Sequence, residues 1–395
     1  MIPRRDISIY GGLTYYLWKW FLNIFKRKDY GVMFRRSLQR FFGVKDIFLL
    51  ARGRIAIDLI LESVDFNKGD EIIVPNYYLK ELVPNLKARG LEVVFCDISP
   101  KTLSLDENQL KRKITDKTRF VMLAHMFGYC GNVEDIVSLV RKKSKNIVII
   151  EDCAHAFGSE YKRKKLGTFG DFSLLSFDYI KPLNLFGGGA LMVNNGTYRD
   201  AVLSAFNDLT YPRRLSVITS FRYYIFQNVI LKTPLFYLVK LSLRNPKLKR
   251  LLKKIHKSSP YKTERLSTFQ SLLGYYQLKL FPEKMKELEE VNHSYRKNLS
   301  EKLVRVIPGG CNSRYSNYSF FILLDDAKVA EEHMFKAGVD IGIQDEVMDL
   351  CVHDNGFPVS EKIYKGLVQL PFYTSLSERK IKKIAAAINK MGDES

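Results

Sequence analysis

Ile147-Val-Ile-Ile-Glu-Asp-Cys-Ala-His-Ala-Phe-Gly158 is the stretch that decides the fold. It starts as a continuously apolar run of strand length and ends in two acids, a cysteine and a histidine. A strand that is apolar without alternation is buried on both faces, which is typical of a parallel sheet covered by helices. Ligands of such sheets bind beyond the carboxyl ends of the strands. Asp152 and His155 therefore lie where chemistry is expected.

Further apolar runs flank this strand and alternate with charged, amphipathic stretches. They are Glu71–Pro75, Val93–Cys96, Phe120–Ala124, Phe172–Leu175 and Leu191–Val193. This alternation predicts an α/β protein with a mostly parallel central sheet flanked by helices. A long helix is predicted over Thr268–Asn298.

Four parts of the chain are predicted from these patterns. Residues 1–50 form a basic amphipathic N-terminal segment, and residues 51–205 form the large α/β domain. Residues 206–260 are a basic, aromatic helical insert. Residues 261–395 form a smaller C-terminal α/β domain.

Positive charge is concentrated in two stretches of the chain. The 395 residues include 63 Lys+Arg and 42 Asp+Glu, a net charge of +21, and 46% of them are hydrophobic, which excludes a disordered chain. Tyr10–Lys45 has eight basic residues and one acid, and Arg213–Lys257 has twelve and none. Both stretches interleave aromatic residues and leucine with the charge. They suit either helices at an anionic membrane surface or a packed hairpin with a solvated basic face.

Composition also bears on the compartment and on other partners. Five scattered cysteines without a CxxC motif fit a reducing compartment, and neither a metal site nor a disulfide framework is expected. No signal peptide is recognisable, and no apolar run reaches the ~18 residues that a spanning helix needs. The predicted location is cytoplasmic, with the alternative of a peripheral position at the membrane face. Nucleic acid ranks lowest as a partner, because no recognition motif accompanies the charge.

A lysine follows the central acid at an informative spacing. Lys181 comes 29 residues after Asp152, behind another apolar run. Pyridoxal phosphate needs such a pair, because a lysine amine forms its Schiff base and a carboxylate keeps its ring nitrogen protonated. Its phosphate could bind at Ala51-Arg-Gly-Arg-Ile-Ala56, where a glycine precedes a predicted helix over Ile55–Glu62. Each element alone has an ordinary structural explanation, so the order and spacing carry the hypothesis.

In this order the motifs resemble the DegT/StrS family of pyridoxal-phosphate sugar aminotransferases. The matching segments are Arg52–Arg54, Gly69–Pro75, Glu151–Gly158, Gly167–Phe172, Ser176-Phe177 and Lys181. The resemblance runs from about residue 40 to the C-terminus and is interrupted at about 207–257. It implies the type I aminotransferase fold and a homodimer with active sites at the subunit interface.

Roles for individual residues follow from the resemblance. Lys181 would form the Schiff base and move protons, Asp152 would pair with the pyridine nitrogen, and His155 would lie near the phenolic oxygen. Tyr77 and Tyr78 are the candidates for stacking on the ring. The residues assigned to the cofactor are Gly53, Arg54, the backbone of Ile55, Tyr78, Asp152, His155, Ser176 and Lys181.

The implied activity is transfer of an amino group, with glutamate as the expected donor, to a keto-sugar on a nucleotide or lipid carrier, in polysaccharide or sugar biosynthesis. Lys181 favours amino transfer, because the dehydratases of this family carry His at that position. The stretch Gly342–Glu346 replaces residues that often line the sugar site. The alternatives are another pyridoxal-phosphate enzyme, acting on amino acids or lipids or as a dehydratase, and a non-catalytic basic protein of the membrane surface.

Overall fold

The computed structural model describes most of the chain. The described residues are 1–6, 10–26, 28–129, 131–212, 230, 233, 235–243, 245, 263–300, 305–306, 313–314, 319–343, 352–353 and 355–392. Most of the predicted insert at 206–260 and residues 344–346 of the predicted sugar-site stretch lie outside them.

A seven-stranded sheet forms the centre of the large unit. In spatial order its strands are β1 (Asp46–Leu50), β9 (Gly189–Val193), β8 (Phe172–Ser176), β5 (Val148–Asp152), β4 (Thr118–Ala124), β2 (Glu71–Pro75) and β3 (Glu92–Cys96). Of these, β9 alone runs against both of its neighbours, and the other pairings are parallel. The prediction of a mostly parallel sheet is confirmed. Every residue of β5 is buried, as its unbroken apolar run required.

The central strand β5 places its last residue at a shared edge of the sheet. Asp152 lies level with Ala124 of β4 and with Leu174 of β8. Because these three strands are parallel, their carboxyl ends meet at the same edge. Asp152 and the end of β8 at Ser176 therefore face the same side of the molecule.

Helices cover both faces of the sheet and the C-terminal unit. In chain order they are α1 (Leu13–Lys26), α2 (Tyr30–Phe42), α3 (Ile55–Ser63), α4 (Leu82–Ala88), α5 (Glu107–Lys113), α6 (Val133–Lys143), α7 (Arg199–Asn207), α8 (Leu235–Leu243), α9 (Thr268–Asn298), α10 (Ala327–Lys336), α11 (Pro358–Gly366) and α12 (Glu378–Asn389). One apolar cluster joins α2, α6 and α9 to one face, and a second joins α3, α4 and α7 to the other. None of the described helices is both long and apolar enough to cross a membrane.

The long helix α9 has the predicted bounds and connects the two units. A capping box begins this helix. The Ser267 hydroxyl accepts from the Gln270 backbone N–H, and the Gln270 side chain accepts from the Ser267 backbone N–H. Its first half packs under the large sheet, while Leu288 and Tyr295 of its second half belong to the core of the small unit.

Two three-stranded sheets complete the described part of the fold. The small unit is built on β10 (Arg305–Val306), β12 (Phe320–Leu323) and β13 (Leu367–Leu370), packed against α10 and α12. The other sheet combines β6 (Glu160–Tyr161), β7 (Lys164–Lys165) and β11 (Ser313–Arg314). β6 and β7 follow the central strand, whereas β11 comes from the C-terminal part of the chain.

The first fifty residues, predicted as a segment of their own, take part in both units. Asp46–Leu50 pairs along its whole length with β9, so the large sheet begins before the predicted boundary at residue 51. Burial of the apolar residues 47–50 explains this pairing. At the start of the chain, Ile2 pairs with Val339 of the small unit. The boundary at residue 50 therefore has to be corrected.

Candidate active site

The Asp152 carboxylate accepts two hydrogen bonds at the end of β5. Its Oδ1 accepts from the Ala154 backbone N–H at 2.8 Å, and its Oδ2 accepts from the Tyr78 hydroxyl. Burial, with the adjacent carboxylate, raises the pKa of Tyr78 well above its usual value. The phenol therefore stays protonated and acts as a donor. Asp152 is itself only 6% exposed, so its charge is little screened by water.

The preceding acid, Glu151, has a different role because successive residues of a strand point to opposite faces. Its carboxylate accepts hydrogen bonds of 2.6–2.9 Å from His125 Nε2 and from the backbone N–H groups of Gly167, Phe169 and Gly170. Burial opposes the charge, yet these donors hold the pKa of Glu151 below its usual value. Glu151 thus anchors the loop that leads into β8.

Glu151→Gln should destabilise the fold without touching the chemistry. The variant places an amide N–H₂ among N–H groups that need an acceptor. The loss of charge-assisted hydrogen bonds should lower the free energy of unfolding by about 2–3 kcal/mol. Urea unfolding measures this free energy. Asp152→Asn is the matched control, because the same change one residue later should cost less. Equal stability of Glu151→Gln and the unmodified protein would contradict the assigned anchoring role.

His125, Glu151 and Cys153 also form a buried group whose ligand atoms lie within 4.8 Å of one another. Both oxygens of Glu151 already accept the hydrogen bonds described above. A carboxylate saturated by donors is a poor metal ligand. We therefore assign the group a structural role.

His155 lies in the turn after β5 and is kept neutral. Its Nδ1 accepts from the Phe127 backbone N–H at 3.4 Å, and its ring is nearly parallel to the Phe127 ring at 5.9 Å between centroids. Burial, followed by the positive charges of Lys181 and Arg5, lowers the pKa of His155 well below its usual value. The structure thus brings His155 within electrostatic reach of the predicted catalytic lysine.

Phe127 has a backbone angle of +59° in φ, which is uncommon for a residue with a side chain. It lies between Tyr77, His155 and Phe321, whose rings contact its own ring. Strained residues of this kind persist where the surrounding packing holds them, and they concentrate at functional sites. The three rings around Phe127 hold the turn after β4 in this conformation, next to His155.

Gly53 brings the predicted phosphate loop against the end of β8. A Cβ at this position would lie 3.0 Å from the Leu175 carbonyl oxygen and 3.5 Å from Ser176 Cβ.

Ile55 begins α3, and its N–H points to the Arg52 carbonyl at 3.3 Å. The Arg54 guanidinium contacts Glu81 at 3.4 Å, and both side chains are half exposed. The structure therefore joins Gly53, Ser176 and the start of α3, whereas the Arg54 side chain pairs elsewhere.

Lys181 lines a cavity of about 420 Å³. Its backbone N–H donates to the Asp178 carbonyl at 2.9 Å in the turn after β8. The N-terminal segment, α9 and the small unit supply the other walls, with the polar side chains Arg5, Asp6, Tyr10, Lys284, Ser319 and Gln369. No sequence motif marks these residues, because they lie far apart in the chain and meet only in the folded protein.

The donor and acceptor set fits pyridoxal phosphate. Asp152 is a buried carboxylate that already accepts from one hydroxyl, and it offers the negative charge that a protonated ring nitrogen requires. Lys181 supplies an amine beside a neutral imidazole. Gly53 packs so closely on the end of β8 that a Cβ would lie 3.0 Å from the Leu175 carbonyl oxygen, and this contact places the predicted phosphate loop beside Ser176. Asp152, His155, Ser176, Gly53 and Lys181 would hold the cofactor.

Comparison with known proteins identifies the family of the chain. Residues 23–389 match the family model described as the DegT/DnrJ/EryC1/StrS aminotransferase family. Over 154 residues, the chain is 38% identical to GDP-perosamine synthase from Escherichia coli O157:H7, which covers 39% of this chain and 42% of that relative. Over 375 residues, it is 24% identical to dTDP-3-amino-3,6-dideoxy-alpha-D-galactopyranose transaminase from Aneurinibacillus thermoaerophilus, covering 91% and 89% of the two chains.

A solved structure supports the same fold. The sugar aminotransferase CalS13 from Micromonospora echinospora superposes with a TM-score of 0.73 at 15% identity, covering 99% of this chain and 100% of that chain. At such identity the likeness shows the fold alone. The chain spans less than half the length of the perosamine synthase named above. The family match, in contrast, covers most of the sequence, and the chain belongs to the DegT/DnrJ/EryC1/StrS aminotransferase family of pyridoxal-phosphate enzymes.

Proposed function

We propose that this protein transfers an amino group from glutamate to a keto-sugar carried on a nucleotide or lipid phosphate. Two observations support the proposal: Asp152 ends its strand at the carboxyl edge of the sheet, and the charge of Lys181 acts on His155 in the following turn. The two relatives named above are GDP- and dTDP-linked sugar enzymes by name, which supports a nucleotide carrier. We further propose that the protein is a cytoplasmic homodimer and that it acts in polysaccharide or sugar biosynthesis.

The chain's own residues account for the proton movements. Pyridoxal phosphate, when bound, supplies an electron sink for the bond that breaks at the donor's α-carbon. Asp152 is a buried carboxylate at the strand end, and a carboxylate there would favour a protonated ring nitrogen. Lys181 Nζ is the base that takes the proton from the α-carbon of the amino donor and later returns one. His155 stays neutral and accepts through Nδ1, so it adds no charge beside that amine.

An absorbance spectrum of the purified protein tests the proposal. We expect a visible band from cofactor attached to lysine, and its conversion to the amino form of the cofactor when glutamate is added. A keto-sugar nucleotide should then reverse the change. Absence of the band, or no conversion with any amino acid, would favour the alternatives of other cofactor chemistry or a non-catalytic protein.

We also propose that α1 contacts an anionic membrane surface. Trp18 and Phe21 on this helix are 54% and 58% exposed, and the Lys19 ammonium lies 4.7 Å from the centre of the Trp18 ring. In α8, Leu238 is 55% exposed. Exposed aromatic residues interleaved with lysine are typical of helices that lie in a membrane interface. The two basic stretches supply the charge complementarity to anionic lipids.

Replacing Trp18 and Phe21 together with serine should weaken binding to phosphatidylserine vesicles by more than tenfold. Each large apolar side chain that enters the interface contributes about 1.5–3 kcal/mol. Vesicle cosedimentation measures the change, and gel filtration shows whether the oligomeric state has altered. Val329→Ser is the matched control, because Val329 is 61% exposed on α10, outside both basic stretches. If the doubly substituted protein binds vesicles as tightly as the unmodified protein, the proposed contact between α1 and the membrane is wrong.

A further inference from the structure

The cavity beside Lys181 has an excess of positive charge. Its charged lining residues are Arg5, Asp6, Lys181 and Lys284, so two cations besides the predicted cofactor lysine face one acid. Its volume of about 420 Å³ lies within the range of small-molecule sites, which is roughly 300–1,000 Å³. The cavity therefore suits a small molecule with an anionic end better than a neutral one.

The Arg5 side chain is held in place by a buried amide. Its Nη2 donates to Gln369 Oε1 at 3.1 Å, and Gln369 Nε2 donates to Ser319 Oγ at 2.6 Å. Gln369 is 3% exposed and belongs to β13, so the partner of Arg5 is part of a sheet. A guanidinium held in this way loses little conformational freedom when it binds an anion.

Lys284 adds a second cation at the same cavity. Its Nζ donates to the Pro182 carbonyl at 2.6 Å, one residue after Lys181. Burial lowers its pKa to about 8, which leaves the amine mostly protonated at neutral pH. This contact ties α9 to the loop that carries the catalytic lysine.

The cavity and the cofactor residues share one electrostatic environment. The charges of Arg5 and Lys181 both act on His155, which lies in the turn after Asp152. An anion bound at Arg5 would consequently lie near the reacting groups, where the position of an amino donor or of a sugar carrier matters.

We propose that Arg5 is a specificity-determining residue that binds a carboxylate or phosphate group of the substrate, with Lys284 as a second cation. The inference rests on the proposed function and names the anionic group that this site recognises. A carboxylate would belong to the amino donor, and a phosphate would belong to the carrier of the keto-sugar.

Calorimetric titration of the cofactor-loaded protein with glutarate and with inorganic diphosphate tests the proposal. Arg5→Gln should weaken the binding of one probe about tenfold or more, the effect of losing a charge-assisted hydrogen bond. Arg5→Lys keeps the charge without the planar fork and should recover part of the affinity. Arg4→Gln is the matched control. It removes the same charge from the preceding position, but Arg4 contacts the Ile341 carbonyl and does not line the cavity.

Each outcome of the titration supports or rejects one assignment of Arg5. A loss confined to glutarate assigns Arg5 to the donor carboxylate, and a loss confined to diphosphate assigns it to the sugar carrier. Equal affinities in Arg5→Gln, Arg4→Gln and the unmodified protein overturn the proposal. If Arg5→Gln does not fold, Arg5→Lys decides, because full affinity in that variant for both probes rejects a role for the guanidinium fork. Binding that depends on Arg5 in a protein that converts no amino donor would refute the proposed function and leave the anion site standing.

Discussion

Lys181→Ala should abolish turnover, with a loss of at least about ten-thousandfold, because one side chain supplies both the covalent attachment and the base. Borohydride reduction followed by peptide mass spectrometry should find the cofactor on the Lys181 peptide of the unmodified protein and not in the variant. The thermal unfolding midpoint of the apo form should change little, since the amine lines a cavity and fills no core position.

Lys284→Met is the matched control for the covalent attachment alone, because Lys284 belongs to the proposed anion site and its loss should also affect turnover. It removes a second amine from the same cavity, and the cofactor should remain attached to Lys181. Turnover or covalent attachment in Lys181→Ala would refute the central role of this lysine. Attachment that depends on Lys284 would exchange the roles of the two lysines.

Asp152→Asn should lower kcat at least about a thousandfold while the protein stays folded, because a neutral amide no longer favours the protonated ring nitrogen. The amide oxygen of this variant could still accept from the Tyr78 hydroxyl, so local packing is largely kept. Steady-state kinetics with glutamate, together with the cofactor spectrum, measure the effect.

Tyr78→Phe separates charge from hydrogen bonding at the same carboxylate. It removes the hydroxyl that donates to Asp152 and leaves the negative charge in place. We expect a far smaller change in kcat than for Asp152→Asn. A near-normal rate in Asp152→Asn, or an equal loss in both variants, would contradict the assignment of Asp152 to the ring nitrogen.

Local pattern was enough to predict several elements. The helix Thr268–Asn298 has the predicted bounds, because the spacing of apolar residues along a helix is a local property of the sequence. The central strand spans Val148–Asp152, so it begins one residue into the apolar run that starts at Ile147 and ends at the second acid. A buried parallel strand is recognisable because both of its faces must be apolar.

The sequence alone does not predict which distant segments of the chain pair with each other. Composition places Asp46–Leu50 in a basic N-terminal segment, yet the strand pairs with β9 because its apolar residues are buried there. The family resemblance places Arg54 at the phosphate, whereas its guanidinium contacts Glu81, 27 residues further along the chain. Strand pairing and side-chain direction depend on which surfaces meet in the folded protein, and the periodicity of apolar residues does not predict them.

By itself, the sequence determined the buried strand that ends in Asp152, the order in which Ser176 and Lys181 follow it, and hence the fold and the chemistry at its edge. Only the tertiary structure decided what else surrounds Lys181. Arg5 meets Gln369 across 364 residues, and Lys284 meets Pro182 across 102 residues. Strand and helix periodicity comes from neighbouring residues, whereas these contacts form only after α9 and the small unit have packed against the large sheet.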